Sequence, residues 1–337
     1  MVGGNTMSRY ARQTTLPEIG EAGQAALRAA RVLVVGVGGL GAPVLQYLVG
    51  AGIGYLTLVD SDVVSLSNLH RQTLFREEDV GLLKAKVAEE TLHRLNADCE
   101  ISCVTSALTP ANAQHLVAQS TLVLDCADSF AASYTLSDFC HATGVPLISA
   151  SVLGFAGYVA GFCGTAPSLR AVFPDLPDRA ATCATAGVMG PVVGMIGAAQ
   201  AQMAISYLTG QSPSPLGQLL SFDMQNFRTG GFRFDSAPEP RADLGFIAAS
   251  DLTPTDFVVE LRDATEAPIP VTQTAKRLNV AEFAGQHPTP DAGQRAVFTC
   301  RSGLRAWQAA THLRTYWTGE ISLIAMGDTP HTERQTT

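Results

Sequence analysis

The sequence lacks any pair of cysteines separated by two residues. Its seven cysteines are Cys99, Cys103, Cys126, Cys140, Cys163, Cys183 and Cys300. A structural zinc site with four thiolate ligands is usually built from two C-x-x-C pairs, so we expect no such site here. Free cysteines are typical of a reducing compartment, and we therefore expect a cytoplasmic protein.

Basic residues are also scarce. The 337 residues include 22 Lys and Arg against 30 Asp and Glu, which gives a formal net charge of −8. This acidic balance argues against nucleic acid as a main partner. The sequence opens with no basic stretch followed by an apolar run, so we expect no signal peptide.

Uninterrupted apolar runs are short. The longest apolar segment, residues 187–207, contains Pro191, Gln200 and Gln202. We interpret it as a buried or dimer-interface helix, and we expect no membrane span. Hydrophobic residues still make up 46% of the chain. This content and length are enough for one large domain and one smaller domain.

A glycine-rich segment stands between an apolar β-type run and an apolar helical run. It contains Gly36, Gly38, Gly39 and Gly41. A second strand-like run, residues 55–59, then ends on Asp60. Such glycines let backbone N–H groups approach a phosphate at a helix N-terminus, and a carboxylate after the next strand suits a ribose hydroxyl. The pattern predicts a nucleotide site; the alternative is a turn that serves only helix–sheet packing.

The residues after Asp60 indicate which nucleotide. Asp62 follows closely, then residues 67–72, and then Lys84. A triphosphate needs several cations and donors, and Arg71, Lys84 and the neutral donor Asn68 suit its β and γ groups. The alternative is that both cations are ordinary solvated charges. A nicotinamide-dependent oxidoreductase would share the glycine loop and Asp60 but would leave these cations without a role.

Strand-like and helical runs alternate as β-α-β-α-β in the first half of the chain. This order predicts an α/β fold with a Rossmann-like, mostly parallel sheet and helices on both faces. The run 122–125 leads to Asp128, which should lie with Gly36 and Asp60 at the carboxyl ends of the strands. The later runs 154–161 and 219–234 are interpreted as antiparallel strands.

Together these segments resemble the MoeB/ThiF/HesA family, the bacterial relatives of ubiquitin-activating enzymes. The resemblance is carried by Arg9–Gln13, Gly36–Gly41, Asp60, Asp62, Ser67–Gln72, Lys84 and Asp125–Asp128. It runs collinearly from about Arg9 to Phe234, and we assign residues 1–240 to this ATP-binding domain. It implies a homodimer that uses ATP and Mg²⁺ to adenylate the Gly-Gly C-terminus of a ubiquitin-like sulfur-carrier protein. The receiving pathway, molybdopterin or thiamine biosynthesis among others, stays open.

The resemblance also implies roles for single residues. Asp128 would bind the magnesium ion, and Arg12 would reach the ATP of the partner subunit. Ser129 stands where the family usually has Asn, so one nucleotide contact differs. The implied nucleotide contacts are the four glycines, Asp60, Asp62, Ser67, Asn68, Leu69, His70, Arg71, Lys84, Asp128 and Ser129.

Cys183 precedes the long apolar segment. In similar proteins a cysteine at this place forms a thioester or an acyl disulfide with the activated carrier, and in some it is dispensable. A thiol near a helix N-terminus can have a lowered pKa and act as a nucleophile. The alternative is a small buried residue, the commonest state of a free cysteine.

The C-terminal part holds a second candidate site, the loop Cys300–Arg305 between a strand-like run and a helical run. The N–H groups and two arginines of such a loop favour a thiolate or a persulfide anion. It resembles the active-site loop of a rhodanese, and Glu260 and Arg262 resemble that domain's acid-x-Arg pair. We assign residues 241–330 to a small α/β rhodanese-like domain, although residues 264–294 match poorly. The alternative is an exposed cysteine in a helix-capping turn.

The combined hypothesis is a fused adenylyltransferase and sulfurtransferase. Sulfur from a cysteine desulfurase or thiosulfate would be carried as a persulfide on Cys300, and Cys183 would carry the acyl group. Three alternatives stay open. They are a zinc-free family member that adenylates a peptide or other carboxylate, a nicotinamide oxidoreductase, and a non-catalytic scaffold that binds the carrier.

The missing thiolate pairs generate a prediction about metal content. Most relatives carry a structural zinc, but residues 167–171 and 227–231 take the places of the two C-x-x-C pairs in this chain. We expect elemental analysis of purified protein to find no stoichiometric zinc. About one zinc per chain would show that other ligands hold the metal.

Overall fold

The computed structural model describes residues 9–176, 187–240 and 244–327. These residues form two β-sheets with helices packed around them. The helices are α1 (Ala11–Thr14), α2 (Gly20–Ala29), α3 (Gly41–Ala51), α4 (Lys84–Leu95), α5 (Pro110–Ala118), α6 (Phe130–Thr143), α7 (Leu169–Val172), α8 (Gly190–Leu208), α9 (Val280–Gly285) and α10 (Leu304–Leu313). The expected position of Cys183 lies outside the described residues.

The first sheet has eight strands in the order β3-β2-β1-β4-β5-β6-β7-β8. Its strands are β1 (Arg31–Val35), β2 (Tyr55–Val59), β3 (Glu100–Val104), β4 (Leu122–Asp125), β5 (Pro146–Leu153), β6 (Ala156–Cys163), β7 (Gln218–Asp223) and β8 (Arg228–Arg233). The first five in this order pair in parallel, and the last three pairings are antiparallel. The expectation of a mostly parallel α/β sheet is therefore confirmed.

Side-chain alternation along β1 shows how the sheet is covered on both faces. Val32 and Val34 belong to a core with α3, α4 and α8, whereas Leu33 and Val35 belong to a second core with α5 and α6. Successive residues of a strand point to opposite faces, so an apolar run without alternation is buried on both sides. The sequence of β1 is such a run.

Helix α8 begins at Gly190, three residues after the expected start, and packs against α3 and β5. A Cβ on Gly197 would lie 2.5 Å from the Pro43 side chain, so this glycine permits the close helix–helix contact. Gln200 is buried within the helix. Among the helices of the described residues, none has the length and apolar character that a membrane span requires.

The second sheet is parallel and has the order β11-β10-β12-β13-β9. Its strands are β9 (Gly245–Phe246), β10 (Phe257–Glu260), β11 (Lys276–Arg277), β12 (Ala296–Cys300) and β13 (Ile321–Ala325). Phe257, Phe298 and Trp307 belong to the same buried cluster as Leu33 and Leu136 of the first sheet and α6. The two sheets therefore share one core.

The structure extends two sequence expectations. The alternation of strands and helices is confirmed and continues further, since α4, β3 and α5 stand between β2 and β4. The antiparallel strands expected within residues 219–234 are β7 and β8, which are joined by a turn in which Phe227 has a φ of 53°. A positive φ at a non-glycine residue is local turn geometry that periodicity does not reveal.

The close approach of the Gly36 and Cys126 backbones leads to a prediction about stability. Gly36 has a φ of 93°, and an added Cβ would lie 2.6 Å from the Cys126 carbonyl oxygen. We expect Gly36→Ala to lower the free energy of unfolding by about 1–3 kcal/mol, measured by denaturant titration. Gly50→Ala is the control: Gly50 lies in α3 with open space around it. The control should be neutral or stabilising by up to about 1 kcal/mol. Equal stability of both variants would contradict the assignment of strain to Gly36.

Candidate active site

The glycine loop joins β1 to α3 at the carboxyl edge of the first sheet. The Gly36 N–H donates to the Val59 carbonyl oxygen at 2.9 Å, which ties the loop to β2. Any side chain on Gly41 would collide with the Gly36 carbonyl oxygen. Both positions therefore require glycine, and the turn delivers the N-terminus of α3 to the sheet edge.

Asp60 anchors this loop from the end of β2. Its Oδ2 accepts a hydrogen bond from the Val37 N–H at 2.7 Å, and its Oδ1 accepts one from the Asp62 N–H at 2.8 Å. Burial raises the pKa of Asp60, while the positive charge of Lys84 opposes that rise. The carboxylate thus lies directly beside the glycine loop, where a nucleotide would meet it.

Lys84 is the first residue of α4 and is nearly buried. Its Nζ contacts Asp62 Oδ2 at 2.8 Å, with 6% of the lysine side chain and 70% of the aspartate side chain exposed. The Asp62 carbonyl oxygen also accepts the Lys84 N–H at 2.9 Å. The Lys84 ammonium group therefore lies near Asp60, and Asp62 covers it from the solvent side.

Arg71 lies against the glycine loop. A Cβ on Gly39 would lie 3.5 Å from Arg71 Cγ, an ordinary van der Waals contact, and 2.7 Å from Val193 Cγ1 on α8, so the close neighbour that excludes a side chain is Val193. Arg71 Nη1 donates to the Ser67 carbonyl oxygen at 3.2 Å and contacts His70 Nε2 at 2.9 Å. Asn68 ends the short 3₁₀ turn Leu66–Asn68, after which the chain runs beside the glycine loop.

The sequence reasoning missed Gln72 as a site residue. Gln72 is buried, and its amide lies 3.4 Å from the position of a Cβ on Gly38. Among the described residues, no hydrogen-bond partner is found for Gln72 Oε1. A buried acceptor without a partner at the edge of a glycine loop is a group that a ligand can satisfy.

The turn before Asp128 is held by a buried polar network. Asp125 ends β4, and its carboxylate accepts hydrogen bonds from Ser149 Oγ at 2.7 Å and the Ala127 N–H at 3.1 Å. Burial raises the pKa of Asp125. Gln200 Nε2 donates to the Asp125 carbonyl oxygen at 2.8 Å. Asp128 is exposed, and Ser129 precedes the first turn of α6. In the sequence, this network is indicated by Gln200, a polar residue within an otherwise apolar helix.

Arg12 lies away from the glycine loop of its own chain. It is exposed on α1, and its neighbour Gln13 donates to the Ala51 carbonyl oxygen at 3.0 Å. Ala51 ends α3 and Gly41 begins it. A helix of this length spans roughly 15 Å, so Gln13 is held at the opposite end of α3 from the loop.

Cys300 ends β12 and is buried under its loop. Its Sγ accepts hydrogen bonds from the Gly303 N–H at 3.2 Å and the Ala306 N–H at 3.4 Å. Arg305 donates to the Leu261 carbonyl oxygen at 3.0 Å and to Glu266 at 2.5 Å. The strand–loop–helix order around Cys300 agrees with the expected geometry, but the thiol is buried rather than exposed.

Glu260 and Arg262 form a buried pair beneath this loop. Arg262 Nε and Nη2 donate to the Glu260 carboxylate at 2.8 and 2.7 Å. Burial opposes the effect, yet the hydrogen bonds from Arg262 lower the pKa of Glu260. The carboxylate also accepts the Val271 N–H at 3.1 Å, which fixes the loop after β10.

The segment that replaces the first C-x-x-C pair is held by a carboxylate. The Ser168 N–H donates to Glu239 Oε1 at 2.7 Å, and Ser168 Oγ donates to Oε2 at 2.5 Å. The partner of this segment is therefore Glu239, whereas residues 227–231 lie in β8 and the turn before it. The pair of hydrogen bonds therefore joins residues 167–171 to Glu239 and not to residues 227–231.

The chain is similar to several curated proteins. The adenylyltransferase and sulfurtransferase MOCS3 of Drosophila sechellia is 43% identical over 220 residues, which cover 64% of this chain and 49% of that protein. The Bos taurus protein of the same name is 46% identical over 218 residues, covering 64% and 48%. The chain thus spans about half the length of the curated relatives it matches.

Solved structures share the fold at lower identity. Escherichia coli MccB with ATP has a TM-score of 0.60 and 21% identity, covering 70% of this chain and 74% of that one. PaaA has a TM-score of 0.58 and 23% identity, covering 69% and 75%. The model of the ThiF family matches residues 10–244. This match covers well over half of the sequence, and the chain belongs to the ThiF family.

Proposed function

We propose that this protein adenylates the C-terminal glycine of a ubiquitin-like sulfur carrier with ATP and then transfers sulfur to it. The observation that carries the proposal is the convergence of the glycine loop, Asp60, Lys84, Arg71 and the Asp128 turn on one sheet edge. A carboxylate is a poor electrophile, and attachment of AMP makes it a good one. The names of the MOCS3 relatives support both activities.

The residues fit ATP and a magnesium ion. Loop N–H groups and two cations suit the phosphates, Asp60 suits the ribose, and Gln72 offers a free acceptor. In the described parts of the chain, no group of three His, Cys, Asp or Glu side chains could hold a metal. Magnesium is often held by one carboxylate together with phosphate oxygens and water, so Asp128 suffices. The ion would neutralise phosphate charge.

Each of these side chains has one role in the proposed reaction. Asp60 accepts a ribose hydroxyl, while Lys84 exchanges Asp62 for phosphate oxygens. Arg71 holds the leaving pyrophosphate, and Asp128 would hold a magnesium ion, which would supply positive charge to the phosphates. Positioning and charge neutralisation supply the rate enhancement. The placement of Gln13 at the far end of α3 supports a homodimer in which Arg12 serves the partner's ATP.

The C-terminal part would supply sulfur. We assign residues 1–240 to the adenylating domain and 241–330 to a rhodanese-like domain, with Cys300 as the sulfur carrier and Cys183 as an acyl carrier. The last strand of the first sheet ends at Arg233 and the first of the second begins at Gly245, which supports this division. Thiosulfate or a cysteine desulfurase would be the sulfur donor.

Removal of the side chain proposed to hold the metal, or of the one proposed to hold a phosphate, should stop adenylation. We expect Asp128→Ala and Arg71→Ala each to lower ATP–pyrophosphate exchange by about 10²–10³-fold, because each removes a charge at the triphosphate. Exchange is measured with a purified ubiquitin-like protein that ends in Gly-Gly.

Arg76→Ala is the matched control for Arg71. The Arg76 guanidinium is exposed and donates to the Thr73 and Phe75 carbonyl oxygens, away from the glycine loop, so exchange should stay near the wild-type rate. Near-normal exchange in either site variant would refute the assignment. Exchange with a short peptide but not with the carrier would favour the peptide-adenylating alternative.

Cys300 should take up sulfur. After treatment with thiosulfate, we expect mass spectrometry to find a gain of about one sulfur on the Cys300 peptide, because the loop N–H groups favour a persulfide anion. Burial raises the pKa of Cys126 and Cys140 well above its ordinary value, so Cys300 should alkylate faster than either.

Cys300→Ala should abolish sulfur uptake and leave ATP–pyrophosphate exchange unchanged, and Cys103→Ala serves as the control. If Cys300 gains no sulfur and alkylates slowly, the C-terminal part binds the carrier without chemistry.

A further inference from the structure

The N-terminal turns of helices α6 and α10 contact each other. A Cβ on Gly303, directly before α10, would lie 3.5 Å from the Cβ of Ala131 in the first turn of α6. One turn later, the Tyr134 and Trp307 rings meet with centroids 5.8 Å apart. Contacts that advance together along both helices show that their N-termini are neighbours.

Each N-terminus follows one of the two candidate sites. Helix α6 begins two residues after Asp128, and α10 begins directly after the loop 300–303. Gly303, in the loop after Cys300, therefore lies against Ala131, which is three residues after Asp128.

A buried arginine fixes this arrangement. Arg170 donates to both carboxylate oxygens of Asp138 on α6, at 2.6 and 2.8 Å, and to the Leu244 carbonyl oxygen at 3.2 Å. Its guanidinium lies 4.7 Å from the Tyr134 ring centroid and 5.7 Å from that of Trp307. One side chain thus joins α6, α10 and the chain that enters the second sheet.

We propose that the Asp128 turn and the Cys300 loop of one chain form a composite active site, in which sulfur on Cys300 passes in cis to the acyl adenylate. The inference rests on the proposed function and adds which chain supplies the sulfur. Phe246 packs on Gly303, and Arg301 and Ser302 are exposed above the buried thiol. Opening this short loop gives the sulfur access, and no domain rotation is needed.

The chemistry balances with thiosulfate as donor. The Cys300 thiolate attacks its outer sulfur, a new S–S bond forms, the bond to the sulfonate breaks, and sulfite leaves with the electron pair. The terminal persulfide sulfur then attacks the acyl carbon. The new C–S bond replaces the C–O bond to phosphate, and AMP leaves with that electron pair. A dithiol such as dithiothreitol supplies two electrons, releases the thiocarboxylate and returns the Cys300 thiol.

Mixing of variants tests the cis arrangement. Asp128→Ala cannot adenylate, and Cys300→Ser cannot carry sulfur, so each lacks one half of the site. With a purified ubiquitin-like protein ending in Gly-Gly, ATP, thiosulfate and dithiothreitol, the co-expressed variants should form no more thiocarboxylate than either alone. Restored thiocarboxylate would show transfer between chains and overturn the inference while leaving the proposed function intact. No product from the wild-type protein would overturn both.

Arg170→Met tests the fixed spacing separately. We expect thiocarboxylate formation to fall at least about tenfold, because a small displacement of reacting groups is costly. ATP–pyrophosphate exchange and thiosulfate-to-cyanide sulfur transfer should keep their wild-type rates, which a general loss of folding would not permit. Arg295→Met is the control, since it removes a comparable ion pair with Asp256. Equal thiocarboxylate rates in both variants would refute the positioning role.

Discussion

The backbone contact between Gly36 and Cys126 determines where the rest of the site lies. It presses the loop after β1 against the turn after β4, and a side chain at position 36 would overlap that turn. The glycine loop is thereby set beside the turn that carries Asp128. Because β2 lies on the other side of β1, Asp60 reaches the same loop through Val37. The carboxyl ends of β1, β2 and β4 therefore lie next to one another.

Buried polar groups hold the turn before Asp128 in place at a cost in folding free energy. Asp125 is fully buried, and burial raises its pKa, so its charged form is disfavoured unless donors compensate. Ser149, Ala127 and Gln200 supply such hydrogen bonds to its carboxylate or carbonyl oxygen. A purely apolar packing would be cheaper to fold. The network instead gives the turn before Asp128 one defined conformation.

The sequence predicts the elements whose signal is local. The sequence predicts the exact bounds of β2, Tyr55–Val59, and the structure places Gly36, Asp60 and the turn before Asp128 at one sheet edge, where they were expected. The alternation of Cys99 and Cys103 predicts a strand, and β3 covers Glu100–Val104. Arg170 is missed because its partners Asp138, Tyr134, Trp307 and Leu244 are 32 or more residues away in sequence. Local periodicity does not specify such pairings.

The shared core explains how a small second sheet can hold a reactive loop in place. Its outer strands β9 and β11 have two residues each, so the sheet by itself would bury little apolar surface. Phe298, Trp307 and Leu313 pack in the same cluster as Leu136 and Cys140 of α6. The second sheet therefore depends on the first for burial. The same contacts that stabilise the second sheet hold the Cys300 loop against the first turn of α6. The packing that folds this sheet therefore also sets where Cys300 lies relative to the Asp128 turn.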